Sequence, residues 1–418
     1  MRFSLVNRTL LAILFIIFPA VSLANEVEVL HWWTSPGENA AVNVLERQLS
    51  DKGLKWKDFG VEGGGGSNAM TVLKSRVISG NPPAAAQIRG KGIQEWASLG
   101  LLREIDDVAR KEQWDAKLPE MVSDTLKFQG HYVAAPVNIH RNNWLWVNPE
   151  AFRKAGQKIP ETWEDMFRVA PKLKEAGYIP LAYGGEPWQA SAIFESVLLA
   201  KGGAEFYRQA MVDNDPAALT SKTMIKTFKA MARMRGLFDQ NSSRRSWDQA
   251  TQLVIDGKAA MQLMGDWAKG EFLLQGKQPG IDFLCIPAPG TKDTFVYNID
   301  SFVMFNMPDE QQKRAQQSLA SLLMNADFQR AFNQKKGGIP ALDLRADQEI
   351  DSCAQKSRRD FNRSMEQGTL VPSTTHGMAA GERVQHVVSE VVSQFINDPH
   401  ADPTKAVKQL SLAIQTLK

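Results

Sequence analysis

From residue 26 onward, short extended-looking apolar runs alternate with stretches whose apolar residues recur three and four positions apart. "VEVLHWW" (27–33) reads as a strand, and "NAAVNVLERQLSDKG" (39–53) places Val42, Leu45 and Leu49 on one helical face. "LKWKDFGVE" reads as a second strand. "SNAMTVLKSRVISG" is predicted to start on a capping Ser67 or Asn68 and to stop at Gly80. "AAAQI" is a third strand, followed by the loop "RGKG" and the helix "IQEWASLG". Strand alternating with helix implies a parallel sheet with helices on its faces.

The pattern then changes twice. The long extended stretch "YVAAPVNIHRNNWLWVNPEAF" leads into a helical region at about 150–275, and "IDFLCIPAPGTKDTFVYNIDSFVMFN" returns to strand-like sequence. Residues 311–340 and 381–396 are helical again. An α/β region that is left and later re-entered predicts two lobes, and the crossings between them are natural hinges. In open α/β sheets ligands bind beyond the carboxyl ends of strands. Trp32-Trp33 and Lys91 fall there, which predicts that the paired indoles line a cleft rather than fill a core.

The first residues add a compartment. Arg2 and Arg8 precede an apolar run from Leu10 to Val21, and Ser22-Leu23-Ala24 supplies small residues for cleavage. This reads as a secretory signal over 1–24, with no cysteine behind it to carry a lipid. The formal charge of +3 falls to about +1 once Arg2 and Arg8 are removed, which gives nucleic-acid binding no support. The short basic clusters Arg244-Arg245 and Lys356–Arg359 read as solvated helix ends. Cys285 and Cys353 are the only cysteines, and in an oxidising compartment a lone pair is expected to be a disulfide. The alternative is that Cys285, inside "IDFLCIPAP", is a small buried hydrophobe.

Catalytic signatures are missing: there is no GxSxG, HExxH or CxxC. The six histidines are scattered, so neither a metal site nor a cofactor is expected. "GGGGS" at 63–67 lacks the GK[ST] ending of a phosphate loop. What remains is aromatic and ionisable residues at element ends. A sugar has apolar C–H faces and a rim of hydroxyls, which flat aromatic surfaces and charged groups recognise together. Trp32, Trp33 and Trp267 are candidate surfaces; Glu38, Lys91, Asp300, Lys336 and His376 are candidate partners for hydroxyls. The bland alternatives are a packing role for Trp267 and ordinary surface positions for Lys91 and Lys336.

The segment "APVNIHRNNWLWVNPEAFRKAGQKIPETWEDMFRVAPKLKEAG" resembles the signature region of family 1 extracellular solute-binding proteins, the carbohydrate-binding subunits of ABC importers. "EWASLGLLREID", "GKAAMQLMGDWAKGEF" and "KKGGIPAL" resemble further segments of that family in the same order. The doubled tryptophan with Glu38, and His376 near the end, look most like the periplasmic glucose/mannose-binding members of Gram-negative bacteria. The resemblance implies a two-lobe α/β fold, each lobe a mostly parallel sheet flanked by helices and joined by crossing hinge segments. Lobe 1 is expected at 25–137 and 291–338, and lobe 2 at 138–290 and 339–418. It also implies that Trp32, Trp33 and Trp267 touch a sugar whose hydroxyls bond Glu38, Lys91, Asp300, Lys336 and His376. In "KKG" the lysine next to the glycine, Lys336, is chosen over Lys335; "GGIP" replaces the commoner Gly-Ser there. The expectation is a monomeric, non-enzymatic periplasmic protein that takes a hexose, most naturally glucose, to a membrane permease. Its rivals are an exported glycosidase or lyase, a binder of a disaccharide, polyamine or metal ion, and a ligand presenter to a chemoreceptor.

Overall fold

Strand β1 (Glu26–His31) runs through the first core with Val27, Val29 and Leu30 fully buried. In the computed structural model, which describes residues 26–342 and 351–417, it pairs in parallel with β2 (Lys55–Gly60) and with β3 (Ala85–Ile88). β2 is the edge strand and carries Lys55, Lys57 and Asp58 outward, a charged edge of the kind that resists further pairing. The signal reading of 1–24 lies outside the described residues.

Next in the chain come the short hairpin β4 (Lys127–Phe128) and β5 (His131–Tyr132), then β6 (Ala134–Arg141) and β7 (Trp144–Val147). β8 (Met261–Leu263), β9 (Leu284–Pro287), β10 (Phe295–Met304) and β11 (Leu370–Pro372) complete the strands. The main sheet has the order β11-β10-β3-β1-β2, with β6 on the free edge of β10. β10 begins beside β11 in parallel and ends beside β3 in antiparallel, while β6 accompanies it antiparallel from Arg141 to Ala134. The register slips by one between Asp300 and Ser301 and leaves Val137 of β6 without an opposite residue, a bulge in the ribbon.

This ribbon joins two apolar cores. One gathers side chains from 27–139 and 295–342 together with Phe361 and Met378, the other from 145–296 and 371–414. β10 belongs to both, through Val296 at its start and Phe302 and Val303 near its end. A third, smaller cluster contains Trp144, Trp146, Trp188, Trp267, Phe272, Phe283 and Cys353.

The mixed α/β architecture follows the pattern read from the chain, with three departures. β7 pairs antiparallel with both β8 and β9, so the second sheet is not mostly parallel; parallel bridges join it only at Ile179–Ala259 and Ala182–Gln262. The helix Ser67–Ile78 begins where expected, but Gly66 caps it in the left-handed region and no side chain does. Ser67 Oγ instead donates to the Gly64 carbonyl, and Gly63 to Gly66 all have positive φ, the conformation glycine adopts without strain. The helix Ser352–Glu366 has no clear apolar stripe, because Ser357, Asp360 and Ser364 share its buried face with Cys353, Ala354 and Phe361. Lys356 and Arg359 therefore lie within a helix rather than at its end. Arg245 is not a solvated end either: both its terminal nitrogens donate to Asp239 at 2.8 Å.

Cys285 on β9 and Cys353 in the first turn of Ser352–Glu366 form a disulfide, with Cα atoms 5.8 Å apart and a sequence separation of 68. Closing so long a loop restricts the unfolded chain. Replacing both cysteines by serine is expected to lower unfolding free energy by about 2–5 kcal/mol, read as a lower denaturant midpoint with a steeper slope, because the uncrosslinked unfolded chain exposes more surface.

Candidate ligand-binding cleft

The cleft is built from the end of β1 outward. His31, the last strand residue, donates from Nε2 to Asp58 at 2.7 Å, and its other ring nitrogen accepts the Trp33 amide at 3.2 Å. The chain thereby turns with Trp33 facing inward, where its ring meets Phe302 and Phe332 at centroid distances of 5.4 and 5.2 Å. Trp32 turns the other way, half-buried, with the Arg89 guanidinium 4.7 Å from its ring centre. The doubled tryptophan is thus divided, as adjacent extended residues must be. Trp33 borders the cleft but also fills the first core, contrary to the expectation that both indoles would avoid it.

Two residues further, Ser35 and Glu38 close a capping box on the helix Pro36–Ser50. One Glu38 oxygen accepts the Thr34 and Ser35 amides at 3.2 and 3.3 Å; the other receives Lys336 Nζ at 3.0 Å. Lys336 ends the helix Ala326–Lys336 and is buried, whereas Lys335 is exposed. Its ammonium sits 5.7 Å from the Trp33 ring and 5.9 Å from that of Trp267.

From the ribbon come His140 on β6 and its direct cross-strand partner Asn298 on β10. Asp300, at the bulge, lies 3.1 Å from His140 Nε2, and Asp266 takes the other ring nitrogen. Trp267 follows Asp266, and its ring packs edge-on against His140 and His376 at 5.4 and 5.1 Å. Trp188 stands 6.1 Å from Trp267. These side chains surround a space of about 150 Å³.

Seven of the eight sequence candidates border that space: Trp32, Trp33, Glu38, Trp267, Asp300, Lys336 and His376. Lys91 does not. It opens the helix Lys91–Ser98, its amide donates to the Gly377 carbonyl at 2.8 Å, and its exposed side chain borders a different surface hollow with Tyr297 and Met378. The strand-end cation is Arg89, two residues earlier, whose guanidinium bonds the Gly65 carbonyl at 2.8 Å and lies 4.0 Å from Asp300. Arg89, His140, Trp188 and Asn298 were not singled out from sequence. Arg89 directly follows the third strand and was open to the same rule that chose Lys91. His140, Trp188 and Asn298 carry no motif.

A family profile described as bacterial extracellular solute-binding protein matches residues 49–315. A probable sugar-binding periplasmic protein of Rhizobium meliloti is 43% identical over 410 residues, 98% of each chain. The chain belongs to the family 1 extracellular solute-binding proteins. An ABC transporter extracellular-binding protein of Pyrococcus horikoshii is 31% identical over 93% of this chain and 87% of that one. Among solved structures, the bacterial solute receptor AcbH superposes with a TM-score of 0.78 at 17% identity, covering 94% of this chain and 99% of its own, a likeness of fold. The two-lobe architecture of this solute-binding protein is therefore that of its structural neighbours.

Its cleft holds polar atoms without partners. Among the described residues, both side-chain polar atoms of Asn298 and Oδ1 of Asp300 are buried and make no hydrogen bond. Buried polar groups are nearly always satisfied, so such a cluster at a cavity wall is the mark of bonds left for a ligand.

The two cleft histidines are set apart electrically. Burial works against a charged His140, but Asp266 and Asp300 outweigh it and hold its pKa above the ordinary imidazole value. Burial, then Arg89, pushes His376 well below that value. His376 Nδ1 lies 3.0 Å from both Asn142 Nδ2 and Ser373 Oγ. For Asp300, burial raises the carboxyl, yet His140, Arg89 and Lys336 together draw it below the ordinary carboxylate range.

Nitrogen NMR of the imidazole rings at about pH 6 is expected to find His140 doubly and His376 singly protonated. The stabilisation from His140 is complete below the ordinary imidazole pKa and fades as pH rises through its raised value. His376 acts in the opposite sense and costs stability as pH falls below the ordinary value. Parallel titration of both rings near the ordinary imidazole value would contradict this assignment.

Proposed function

We propose that this protein is the periplasmic sugar-binding subunit of an ABC importer, that it captures a hexose, glucose foremost, in the cleft, and that it delivers it to a membrane permease. One observation carries the reading: indole rings and unpartnered polar atoms converge on a single small cavity. A pyranose brings what both lack, an apolar face for Trp32, Trp188 or Trp267 and hydroxyls for Asp300 and Asn298.

The enclosed part of the cleft favours one ring, and Trp32, Arg89, Trp188 and His376 also line an adjoining hollow of about 400 Å³. About 150 Å³ is the size of a cavity that takes up a single six-membered ring. The charges favour a neutral ligand, because Lys336 is already paired with Glu38 and Arg89 stands beside Asp300 and over Trp32. Hydrogen bonds from hydroxyls to an ionised carboxylate are stronger than those to neutral acceptors, and a lost one leaves a buried polar atom without a partner. The names of the relatives agree with a periplasmic sugar ligand, and the resemblance to glucose/mannose-binding members supplies the choice of hexose.

In this reading the monomer closes two lobes on the sugar, 25–137 with 291–338 and 138–290 with 339–418. The apolar clusters divide near 139–145 and 295, in support of the first two boundaries, whereas Ile339, Ala341, Leu342, Phe361 and Met378 pack with the first core. Closing would be favoured by ligand because only the closed form contacts it from both sides.

The test is calorimetric titration of the mature protein, freed of ligand by unfolding and refolding, with glucose, mannose, galactose and maltose. Tight one-to-one binding of glucose with weak maltose binding is expected; tight maltose binding with silent glucose would move the substrate, and no binding would withdraw the function. Trp32→Ala and Asp300→Ala are each expected to weaken glucose binding at least about tenfold, roughly 1.4 kcal/mol, while Lys91→Ala leaves it unchanged.

A further inference from the structure

Glu271 lies outside the cavity lining, yet it touches the segment that forms one wall of it. It sits on the helix Ala268–Leu274, four residues beyond Trp267, and that helix packs through Ala268 and Phe272 into the third apolar cluster. Its side chain crosses to the start of Pro36–Ser50, whose apolar residues belong to the first core. There Oε1 accepts Ser35 Oγ at 2.7 Å and the Gly37 amide at 3.0 Å.

Ser35 is the N-cap of that helix and Gly37 one of its first-turn residues, whose amides have no partner within the helix. A carboxylate is the natural partner for such a terminus. The same Ser35 hydroxyl receives the Glu38 amide at 3.3 Å, so the crossing bond reaches the residue that holds Lys336. The approach is backbone to backbone. A Cβ on Gly37 would stand 2.7 Å from the Gly270 carbonyl carbon, and one on Gly270 would stand 2.6 Å from the Lys335 carbonyl oxygen. Only glycine at both positions permits the contact.

We infer that Glu271 is an interlobe latch, a positioning residue that fastens the Trp267 helix to the Trp32–Glu38 segment and sets ligand affinity without touching the ligand. The inference rests on the proposed closure over a sugar. A contact made only in the closed form raises apparent affinity by its share of the closed-state free energy.

The latch also gives closure a pH dependence. Facing Glu271 are Glu38 from Pro36–Ser50 and Asp248 from the helix Trp247–Ile255; the helix Ala326–Lys336, which ends in Lys335 and Lys336, packs on Ala268–Leu274, and Lys269 on Glu271's own helix is taken by Asp351 at 2.7 Å. Burial pushes the Glu271 carboxyl up to about 6, with Ser35 and Gly37 pulling it down and Glu38 and Asp248 adding to the rise. Opening returns it toward the ordinary carboxylate range. Closure is then fully supported below that range and loses support as pH rises through about 6.

The experiment compares wild type, Glu271→Ala and Glu271→Gln by calorimetry with the same four sugars at about pH 5.5 and 7.5. Glu271→Ala is expected to raise Kd about tenfold at the lower pH, chiefly through faster release, as for the loss of two hydrogen bonds to one group. Glu271→Gln keeps the acceptor, stays within about threefold at the lower pH, and weakens less than wild type on going to the higher one. Unchanged affinity in Glu271→Ala overturns the latch. If that variant does not fold, a pH profile of Glu271→Gln identical to wild type overturns it instead. If wild type takes none of the sugars, the proposed function fails and amide exchange decides the latch. Slower exchange at Gly37 in wild type than in Glu271→Ala upholds it; equal exchange overturns it.

Discussion

His140, held between the carboxylates of Asp266 and Asp300, is the contact on which the cleft depends. Asp266 also accepts the Arg141 amide at 2.9 Å and directly precedes Trp267. One imidazole therefore ties the β6–β10 ribbon to the start of the helix that carries the indole wall. A buried carboxylate persists as an ion only when it is paired; His140 lies between two of them here, with Arg89 4.0 Å from Asp300 as well. That arrangement leaves Oδ1 of Asp300 unbonded while Oδ2 is anchored, so the free oxygen has a fixed direction. Geometry and charge at this point come from the same ring.

The other charges of the cleft are also matched before any ligand enters. Lys336 is neutralised by Glu38, whose second oxygen is spent on a helix terminus. Arg89 is shared among a carbonyl, the Trp32 face and Asp300. Such a site has little to offer an ion and much to offer a neutral molecule with many hydroxyls, because fixed dipoles and charges need not reorganise to receive it.

Much of the first lobe was legible in the sequence because its signals are local. Period-two runs, helical spacing and turn residues predict β1, β2, β3 and their helices close to where they occur. The disulfide was legible from cysteine number and compartment. What local pattern cannot carry is pairing between distant segments, so the antiparallel joining of β7 to β8 and β9 was not legible. A strand's last residue is equally hard to place. The same loop "RGKG" offers Arg89 and Lys91, and only the helix that starts at Lys91 turns its side chain away. His140 and Asn298 stand in fully buried strands where a polar residue has no periodicity to break, and their value lies in facing each other across the ribbon. Helix Ser352–Glu366 escaped notice because its inward face is largely small and polar.

The disulfide has a further consequence. Both of its cysteines pack against the third apolar cluster, Cys353 within it and Cys285 at its margin. The crosslink thus braces a single body, fastening a polar-faced helix that apolar burial alone holds weakly, and it does not span the cleft. A covalent tie across the opening would have traded motion for endurance. Placed where it is, the bond prolongs the life of the folded protein wherever thiols are not kept reduced, and it leaves the two large apolar cores untied to each other.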